Sequence, residues 1–444
     1  FVLQKNNNMH IILLSGGSGK RLWPLSNDVR SKQFIKIFKD EDGEYESMVQ
    51  RVYQQIKSVD ENTEIMVATS KSQVSAIRNQ LGNQVSVCIE PCRRDTFPAI
   101  ALAAAKLHYE KRVGREEAVV VCPVDPYVDN SYYEAVKRLA ELVTKGDANL
   151  TLMGIEPVYP SEKYGYIIPE QNAQVSMVKS FKEKPTVEVA QHYLDQGALW
   201  NAGVFAFKLG YLIDKAHELI DFIDYRDLLE KYETATKISF DYAVVEKEDK
   251  IQVMRYAGDW RDVGTWNMMA EVMSDKTKGN VILDDTCEET NVVNELDIPI
   301  LCMGCKDMVI AASSDGILIA DKEQSSYMKP YVEAMDQEAM YAEKSWGIYN
   351  VIDVQEDFMT IKVLLNAGHE MKYHSHSCRD EVWTIVAGTG VVVLNGKKRD
   401  VGVGDVIRIP SGCKHTIKAE TDVRLIEVQM GQDIDVKDKT IHQL

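Results

Sequence analysis

The chain lacks the two patterns that most often mark a phosphate-binding loop. It has no GxxxxGK(S/T) and no GxGxxG, which excludes a P-loop and the usual dinucleotide fingerprint. It also lacks an apolar run of membrane-spanning length. The chain has few positive charges: it contains 51 lysines and arginines against 68 aspartates and glutamates, which gives a net charge of −17. This balance argues against nucleic acid or an anionic membrane as a general partner.

Length and composition indicate a globular protein of several domains. With 444 residues, 45% of them hydrophobic, the chain predicts two or three domains with a sizeable core. The eight cysteines are interpreted as scattered, reduced thiols of a cytoplasmic protein. Residues 1–8 precede Met9 and carry no signal-peptide pattern, so the fold prediction leaves them out.

A glycine-rich loop near the start of the chain is its most informative feature. His10–Leu14 predicts a buried strand, and three glycines then allow a sharp turn that presents N–H groups to an anion: Gly16, Gly17 and Gly19. Two cations follow, Arg21 and Lys32. An ordinary turn with solvated cations is the alternative, but the attached Lys-Arg-Leu-Trp-Pro-Leu-Ser makes a nucleoside triphosphate site the better interpretation.

From Met9 to about Lys276, strand-like and helix-like stretches alternate. The strands include Glu64–Ala68, Ala118–Cys122 and Leu150–Gly154, and the helices include Ala99–Glu110 and Ser131–Thr144. This order predicts βαβ units and a mostly parallel, Rossmann-like α/β sheet with helices on both faces. Ligands bind such sheets at the carboxyl ends of the strands, so the glycine loop and Asp125 should meet there.

The remainder of the chain predicts β structure. Short strand-like runs between about Gly279 and Asp321 indicate a small β-solenoid or a β-linker, and an acidic stretch from about Lys322 to Glu343 predicts helix. From Trp346 to about Gly431, recurring glycine turns predict a small barrel or jelly roll. The predicted domains are therefore 9–276, 277–343 and 344–444.

Several polar residues of the first domain suit a metal and a sugar phosphate. Asp125 and Asp262 could together hold Mg²⁺, although each alone could be a turn or cap residue. Three further motifs offer a cation beside a carboxylate, an amide on a tight backbone, and a glycine that lets a ligand approach: Phe181–Pro185, Leu199–Phe205 and Tyr164–Ile167.

Taken together, these motifs resemble the sugar nucleotidyltransferases. The resemblance is most specific to mannose-1-phosphate guanylyltransferases of the long bacterial form, which end in a cupin domain. It covers nearly the whole chain, from Met9 to Gly431, and is carried by the glycine loop and by seven later motifs: Glu90-Pro91, Pro98–Leu102, Tyr164–Ile167, Glu183–Pro185, Trp200–Gly203, Asp241–Ala243 and Trp260–Trp266. It implies an α/β nucleotidyltransferase domain with a mixed sheet, a β-rich linker and a cupin barrel.

The resemblance implies a reaction and a role for each site residue. A sugar 1-phosphate, mannose 1-phosphate for this family, would attack the α-phosphorus of GTP in line, without a covalent enzyme intermediate. The nucleotide would be bound by Leu14, Gly16, Gly17, Gly19, Arg21 and Arg94, and the catalytic residues would be Arg21, Lys32, Asp125 and Asp262, of which the two aspartates bind Mg²⁺. The sugar phosphate would be bound by Gly165, Glu183, Lys184 and Asn201. A homodimer is compatible with the resemblance.

A second group of candidate ligands lies in the predicted barrel. His374 and His376 stand at i and i+2, so they face the same way, and Glu381 and His415 are expected from neighbouring strands. The spacing resembles the paired motifs of the cupin superfamily, and the four could close around Zn²⁺, Fe²⁺, Mn²⁺ or Ni²⁺. Vestigial or structural histidines are the alternative.

The sequence departs from the family pattern at informative positions. Ser31 replaces the proline before Lys-Gln-Phe, Pro126 replaces a histidine, and Asp95 replaces an asparagine. In bifunctional relatives the cupin resembles type II phosphomannose isomerase, but His374, Cys378 and Val382 replace its usual Gln, His and His, and the tail after Gly431 is short. Little or no isomerase activity is therefore expected. Another base, another sugar, or a nucleotide sensor without catalysis remains an alternative.

Overall fold

The computed structural model describes residues 9–17, 20–27, 29–146, 148–335, 339–432, 434 and 438–443. The chain forms two compact units. The first comprises residues up to 17, 36–74 and 80–264, and the second comprises 18–35, 75–79 and 265–444. Among the described helices, none is long and apolar enough to cross a membrane.

A nine-stranded sheet forms the centre of the first unit, in the order β5-β4-β1-β6-β11-β8-β12-β10-β9. Two small sheets, β2 with β3 and β7 with β13, lie outside it. The strands are β1 (His10–Leu14), β2 (Lys36–Lys39), β3 (Tyr45–Ser47), β4 (Glu64–Ser70), β5 (Ser86–Glu90), β6 (Ala118–Pro123), β7 (Pro126–Val128), β8 (Leu150–Ile155), β9 (Tyr166–Pro169), β10 (Val175–Lys182), β11 (Leu199–Lys208), β12 (Ile251–Tyr256) and β13 (Trp260–Asp262).

Eight α-helices accompany these strands within the described part of the chain before Gly264. They are α1 (Met48–Val59), α2 (Val74–Leu81), α3 (Thr96–Ala105), α4 (Asn130–Lys145), α5 (Val187–Asp195), α6 (Leu209–Leu219), α7 (Tyr225–Lys231) and α8 (Phe240–Ala243). The alanine-rich α3 is buried from Phe97 to Ala105 and belongs to the main hydrophobic core. It continues as a π-helix over Lys106–Glu110.

The sheet is mixed rather than mostly parallel. The strands β5, β4, β1 and β6 are parallel neighbours, as are β8 and β12. In contrast, β11 is antiparallel to β6, β8 and β9, and β10 is antiparallel to β9 and β12. A hairpin connection such as that between β9 and β10 permits only antiparallel pairing, whereas a parallel pair needs a long crossover.

The second unit begins with a β-rich linker. Its elements are α9 (Trp266–Val272), β14 (Thr277–Lys278), β15 (Val281–Leu283), β16 (Asn291–Asn294), β17 (Ile300–Cys302), β18 (Met308–Ser313), β19 (Gly316–Asp321) and α10 (Lys329–Glu333). The strands β14, β16 and β18 pair in parallel, as do β15 and β17, so successive stretches of chain stack on one another. Whether this linker is a true solenoid stays a prediction.

A β-sandwich-like barrel completes the second unit. One sheet has the order β20-β21-β22-β29-β24-β27 and the other β26-β25-β28-β23-β30. Their bounds are β20 (Tyr341–Lys344), β21 (Gly347–Val354), β22 (Phe358–Leu365), β23 (His374–Ser375), β24 (Asp380–Ala387), β25 (Gly390–Leu394), β26 (Lys397–Val401), β27 (Val406–Ile409), β28 (His415–Ala419), β29 (Val423–Met430) and β30 (Thr440–Ile441). The barrel has its own apolar core around Trp383 and Leu425.

Two expectations about the linker are wrong. The stretch 322–343 is not one helix: α10 and a 3₁₀ turn at Gln324–Tyr327 are short, and Tyr341–Lys344 pairs as a strand with β21. Pairing in the barrel outweighs local helix propensity there. Residues 336–338 lie outside the described residues. The cysteines are not all scattered either, because Cys302 and Cys305 stand at C-x-x-C spacing, although all eight thiols are free.

Candidate active site and metal centre

The glycine loop and Asp125 leave the sheet side by side. The parallel strands β1 and β6 place Leu14 opposite Pro123, and the Val124 N–H donates to the Leu14 carbonyl at 3.2 Å. The strand pattern therefore brings these two segments together at one sheet edge, as expected. Of the loop glycines, Gly16 and Gly17 are exposed, and Gly19 lies outside the described residues.

Two buried polar side chains hold the carbonyl groups of the glycine loop. The Thr69 hydroxyl donates to the Ser15 carbonyl at 3.3 Å, and the Gln73 amide donates to the Gly17 carbonyl at 3.3 Å. Exposed Arg93 also reaches the Gly17 carbonyl, at 3.5 Å. In a trans peptide the N–H opposes the C=O, so the Gly16 N–H points away from Thr69. This geometry suits an anion outside the loop.

Of the two predicted magnesium ligands, Asp262 ends β13 and Asp125 directly precedes β7. The antiparallel pairing of β13 with β7 sets Asp262 opposite Pro126, the residue that follows Asp125. Both aspartates are half-buried. Two carboxylates at the edge of an α/β sheet are the donor set that Mg²⁺ takes when phosphate oxygens and water complete its coordination.

The residues predicted to bind the sugar phosphate converge around one glycine. The Asn201 N–H donates to the Gly165 carbonyl at 2.8 Å. A Cβ on Gly165 would lie 2.5 Å from Glu183 Oε2 and 3.3 Å from Asn201 Cβ. Among the described residues, the buried Glu183 Oε2 has no hydrogen-bond partner, so it can accept from a ligand hydroxyl. The other carboxylate oxygen, Oε1, pairs with Lys184 Nζ at 2.6 Å.

The backbone and charges around Lys184 are unusual. Lys184 has a φ of 45°, in the left-handed region that non-glycine residues rarely occupy. Such strain clusters at functional sites. Nearby, burial and the charge of Glu183 raise the pKa of Asp241 to about 6, and Asn201 donates to Asp241 at 2.7 Å. Sequence reasoning gave Asp241 no role, although its Asp-Tyr-Ala motif was a signal.

Tyr164 links the carboxylate pair to the sugar cluster. Its ring lies 4.8 Å from Trp200 and 5.5 Å from Trp260, between centroids. Burial raises the pKa of Tyr164, and the negative charge of Asp262 adds to this increase. Trp260 lies on the same short strand as Asp262, and Tyr164 directly precedes Gly165. The contact between the two rings therefore joins the strand of Asp262 to the cluster that holds Glu183 and Asn201.

The cations predicted to bind the nucleotide lie in different places. Arg94 donates to the carbonyl of Glu233. Arg21 and Lys32 belong to the second unit, on 3₁₀ turns at Lys20–Leu22 and Lys32–Phe34. Their roles stay predictions. Ser31 keeps a φ of −74°, close to the value that a proline would impose, so this departure leaves the backbone conformation unchanged.

Three histidines form a buried group in the barrel that can hold a metal ion. One ring nitrogen from each of His374, His376 and His415 lies within 4.8 Å of the others. Each Nδ1 faces a backbone carbonyl: Lys372 at 2.6 Å, Asp438, and Cys413 at 2.9 Å, respectively. A carbonyl accepts only from a protonated Nδ1, so each Nε2 carries the lone pair that a metal needs. In this structure the Nε2 of His376 accepts from Arg379 Nη2 at 3.0 Å. No described residue hydrogen-bonds to His415 Nε2.

Glu381 lies close to this group but comes from the other sheet. Its oxygens are 3.2 Å from His376 Nε2 and 3.4 Å from His415 Nε2. The expectation that it neighbours the His415 strand is wrong, because β24 and β28 belong to different sheets and His415 instead pairs with His374. The alternation of side chains along one strand shows which residues share a face, but it does not show which strand of the other sheet lies across from that face. Arg379 and Trp383 also donate to Glu381, at 2.9 and 3.2 Å.

A cavity of about 250 Å³ opens beside the histidines. Three cations line it: Lys344, Arg379 and Lys439. Burial, together with the charge of Glu381, raises the pKa of the lining residue Glu427 to about 8, and Gln429 donates to Glu427 at 2.5 Å. Burial lowers the pKa of His374 to about 2, which keeps that imidazole neutral. Glu427 and Gln429 stand at i and i+2 on β29, a spacing that signals one shared face.

Comparison with known proteins agrees with both sites. The nucleotidyl transferase family model matches residues 10–279, and the cupin domain model matches residues 361–429. Because the first match covers more than half of the chain, the chain belongs to the nucleotidyl transferase family. It also carries a cupin domain in its second unit.

Similar proteins extend over the full length. Mannose-1-phosphate guanylyltransferase ManC of Salmonella typhimurium is 28% identical over 98% of both chains. The Escherichia coli mannose-1-phosphate guanylyltransferase is 28% identical over 97% of both. A solved structure from Thermus thermophilus, named as a mannose-1-phosphate geranyltransferase, shares 26% identity and a TM-score of 0.59, covering 74% of this chain and 100% of its own.

Proposed function

We propose that the chain transfers a guanylyl group from GTP to mannose 1-phosphate, giving GDP-mannose and pyrophosphate. The observation that carries this proposal is the position of Asp262. It lies opposite the residue after Asp125, and the ring of Trp260 on the same strand is 5.5 Å from that of Tyr164, which adjoins the cluster of Gly165, Glu183 and Asn201. The edge proposed to bind phosphate would thus adjoin the cluster proposed to bind sugar hydroxyls. The names of the full-length relatives supply the base and the sugar.

The protein residues would position the reactants and neutralise charge. The backbone of Gly16 and Gly17 would bind the triphosphate, with Arg21 and Lys32 on its oxygens and Arg94 toward the nucleotide. Glu183 Oε2 and Asn201 would bind sugar hydroxyls, and Lys184 would hold the phosphate that attacks. Aligning the attacking oxygen with the α-phosphorus accounts for much of the rate in such reactions.

Mg²⁺ fits the carboxylate pair, and when bound it would neutralise the charge that develops on the phosphate oxygens. Asp125 and Asp262 would hold it. Pyrophosphate release from GTP and mannose 1-phosphate, with and without Mg²⁺, tests the proposal. Absence of release would favour a nucleotide sensor. Pyrophosphate release only with another nucleoside triphosphate or another sugar 1-phosphate would support nucleotidyl transfer and change the substrate assignment.

We further propose that the cupin binds a divalent transition metal through His374, His376, Glu381 and His415. The donor set suits Zn²⁺, Fe²⁺, Mn²⁺ or Ni²⁺. Mannose 6-phosphate isomerisation is expected to be weak or absent, because Cys378 and Val382 stand where the resembling isomerases have histidine. A coupled assay on mannose 6-phosphate with added Zn²⁺, Mn²⁺ or Co²⁺ tests this. Robust turnover that disappears in Glu381→Ala would make the protein bifunctional.

We also propose the division into a transferase domain at 9–276, a linker at 277–343 and a cupin domain at 344–444. The parallel strands β14 to β18 all lie within 277–343, which supports a separate linker, while β20 at the end of this range pairs with β21 of the barrel. Each terminal domain would then carry its own chemistry.

A further inference from the structure

Residues 20–27 and 29–35, here called the cation segment, carry Arg21 and Lys32 but have little structure of their own. The segment contains two 3₁₀ turns of three residues each. Such short turns do not persist in isolation. A segment that must hold two cations against a triphosphate therefore needs support from outside itself.

An ion pair between buried Arg30 and partly exposed Glu295 supplies one strong contact. Arg30 donates to both carboxylate oxygens of Glu295, at 2.6 and 3.0 Å. The Arg30 residue is only 7% exposed, and its guanidinium also lies 4.9 Å from the ring centroid of Tyr341. Two parallel bonds in this fork geometry fix orientation as well as distance.

Three further contacts also lie within the second unit, to which the cation segment belongs. The Trp266 indole N–H donates to the Trp23 carbonyl at 2.9 Å, and the Ser313 hydroxyl donates to the Pro24 carbonyl at 2.7 Å. The Asn27 amide donates to Asp315 at 2.6 Å. Trp23 also packs closely on Gly316, where a Cβ would lie 2.7 Å from its Cη2 atom. The linker, together with Trp266 of the preceding α9, therefore contacts the segment at Trp23, Pro24 and Asn27.

We infer that the β-rich linker is a support for the cation segment, and that Arg30 and Glu295 are positioning residues for nucleotidyl transfer. The inference rests on the proposed roles of Arg21 and Lys32. Arg30 is occupied by Glu295 and does not act on the reacting atoms. It fixes the segment on which those two cations lie.

The first test compares Glu295→Gln, which removes the negative charge of the pair, with wild type. KM for GTP should rise about tenfold or more while KM for mannose 1-phosphate stays within about twofold, because small misplacements of a positioning group are costly. Arg30→Lys keeps the positive charge but cannot donate the two parallel hydrogen bonds to Glu295, so its increase in KM for GTP should be intermediate. The matched control is Glu288→Gln, which breaks the exposed linker pair with Lys306 at 2.8 Å.

The second test does not depend on activity. Trypsin cleavage after Arg21 and Lys32 is followed by mass spectrometry in the full chain, well below the melting temperature. Cleavage should be about tenfold faster in Glu295→Gln and unchanged in Glu288→Gln, because a released segment opens more often. If Glu295→Gln does not fold, Ser313→Ala takes its place, with a smaller increase expected. This variant removes the hydroxyl that donates to the Pro24 carbonyl and accepts from the Asp315 N–H.

The outcomes separate the inference from the proposed function. If wild type releases no pyrophosphate, the proposed function fails, and the cleavage rates alone decide whether the linker supports the segment. If wild type is active and Glu295→Gln loses thermal stability without a change in KM for GTP or in cleavage, the pair is only structural and the inference is overturned. A rise in both KM for GTP and the cleavage rate of Glu295→Gln, with neither rise in Glu288→Gln, supports the inference.

Discussion

Asp262 lies directly opposite Pro126 in the pairing of β13 with β7, and Asp125 is the residue that precedes Pro126. If the two carboxylates share a magnesium ion, replacing either removes charge neutralisation in the transition state. Asp125→Asn and Asp262→Asn should each lower kcat about a hundredfold or more. The measurement is steady-state pyrophosphate release, with circular dichroism to verify folding.

Asp259 offers a matched control on the same turn. It is exposed and pairs only weakly with Arg261, at 3.2 Å between Oδ1 and Nε. Asp259→Asn should therefore leave kcat unchanged. Near-normal rates in both Asp125→Asn and Asp262→Asn would remove these residues from the site.

A methyl group at position 165 should damage sugar phosphate binding selectively. The added Cβ of Gly165→Ala would lie 2.5 Å from Glu183 Oε2 and 3.0 Å from the Phe181 ring, so the carboxylate must move. KM for the sugar phosphate should rise about tenfold, as expected for a lost hydrogen bond to a charged group, while KM for GTP changes little. Gly402→Ala is the control, because a Cβ there meets only Thr389, at 4.0 Å. Equal shifts in both KM values would contradict the placement.

Metal content should depend on the buried histidines of the barrel. His376→Ala and His415→Ala should each lose most of the bound transition metal, measured by elemental analysis after dialysis, because two remaining imidazoles bind weakly. The half-buried His369, whose Nδ1 lies 3.1 Å from the Ala367 carbonyl and which belongs to no candidate ligand group among the described residues, provides the control His369→Ala. Equal metal content in wild type and all three variants would show that His376 and His415 are not metal ligands.

The buried carboxyl of Glu427 should make the metal-free protein less stable as pH rises. Its pKa is raised from 4.5 to about 8, chiefly by burial. Between these values the folded chain holds a proton that the unfolded chain has released, so the unfolding free energy falls with increasing pH and levels off above pH 8. Denaturant unfolding with chelator at several pH values measures this.

Glu427→Gln should flatten that dependence, since an amide does not titrate. Glu420→Gln, at an exposed position of the same barrel, should retain the wild-type dependence. If wild type and Glu427→Gln show the same change in stability between pH 5 and pH 8, the carboxyl is not the titrating group.

Local sequence signals predicted much of the fold. The apolar run His10–Leu14 followed by glycines predicted a strand and a loop at its carboxyl end, and the structure has both. The direction of β11 was not predictable, because pairing with β6, β8 and β9 depends on distant segments. A hydrophobic pattern encodes burial and period, but not the partner of a strand.

The candidate site shows the same limit. Histidines at i and i+2 indicated a metal site because alternation in a strand is local. Arg30 could be interpreted from sequence only as another surface cation, since its burial arises from contact with Glu295, 265 positions later. Thr69 and Gln73 carried no motif, and only the folded sheet brings them under the carbonyls of the glycine loop.

The proposed activity can be tested in one assay of pyrophosphate release that crosses GTP, ATP, CTP, UTP and dTTP with a panel of sugar 1-phosphates in the presence of Mg²⁺. We expect GTP with mannose 1-phosphate to give the highest kcat/KM and GDP-mannose as the product. Release with CTP, UTP or dTTP but not with GTP would contradict the guanylyl assignment. Absence of release with every pair would contradict the transferase activity itself.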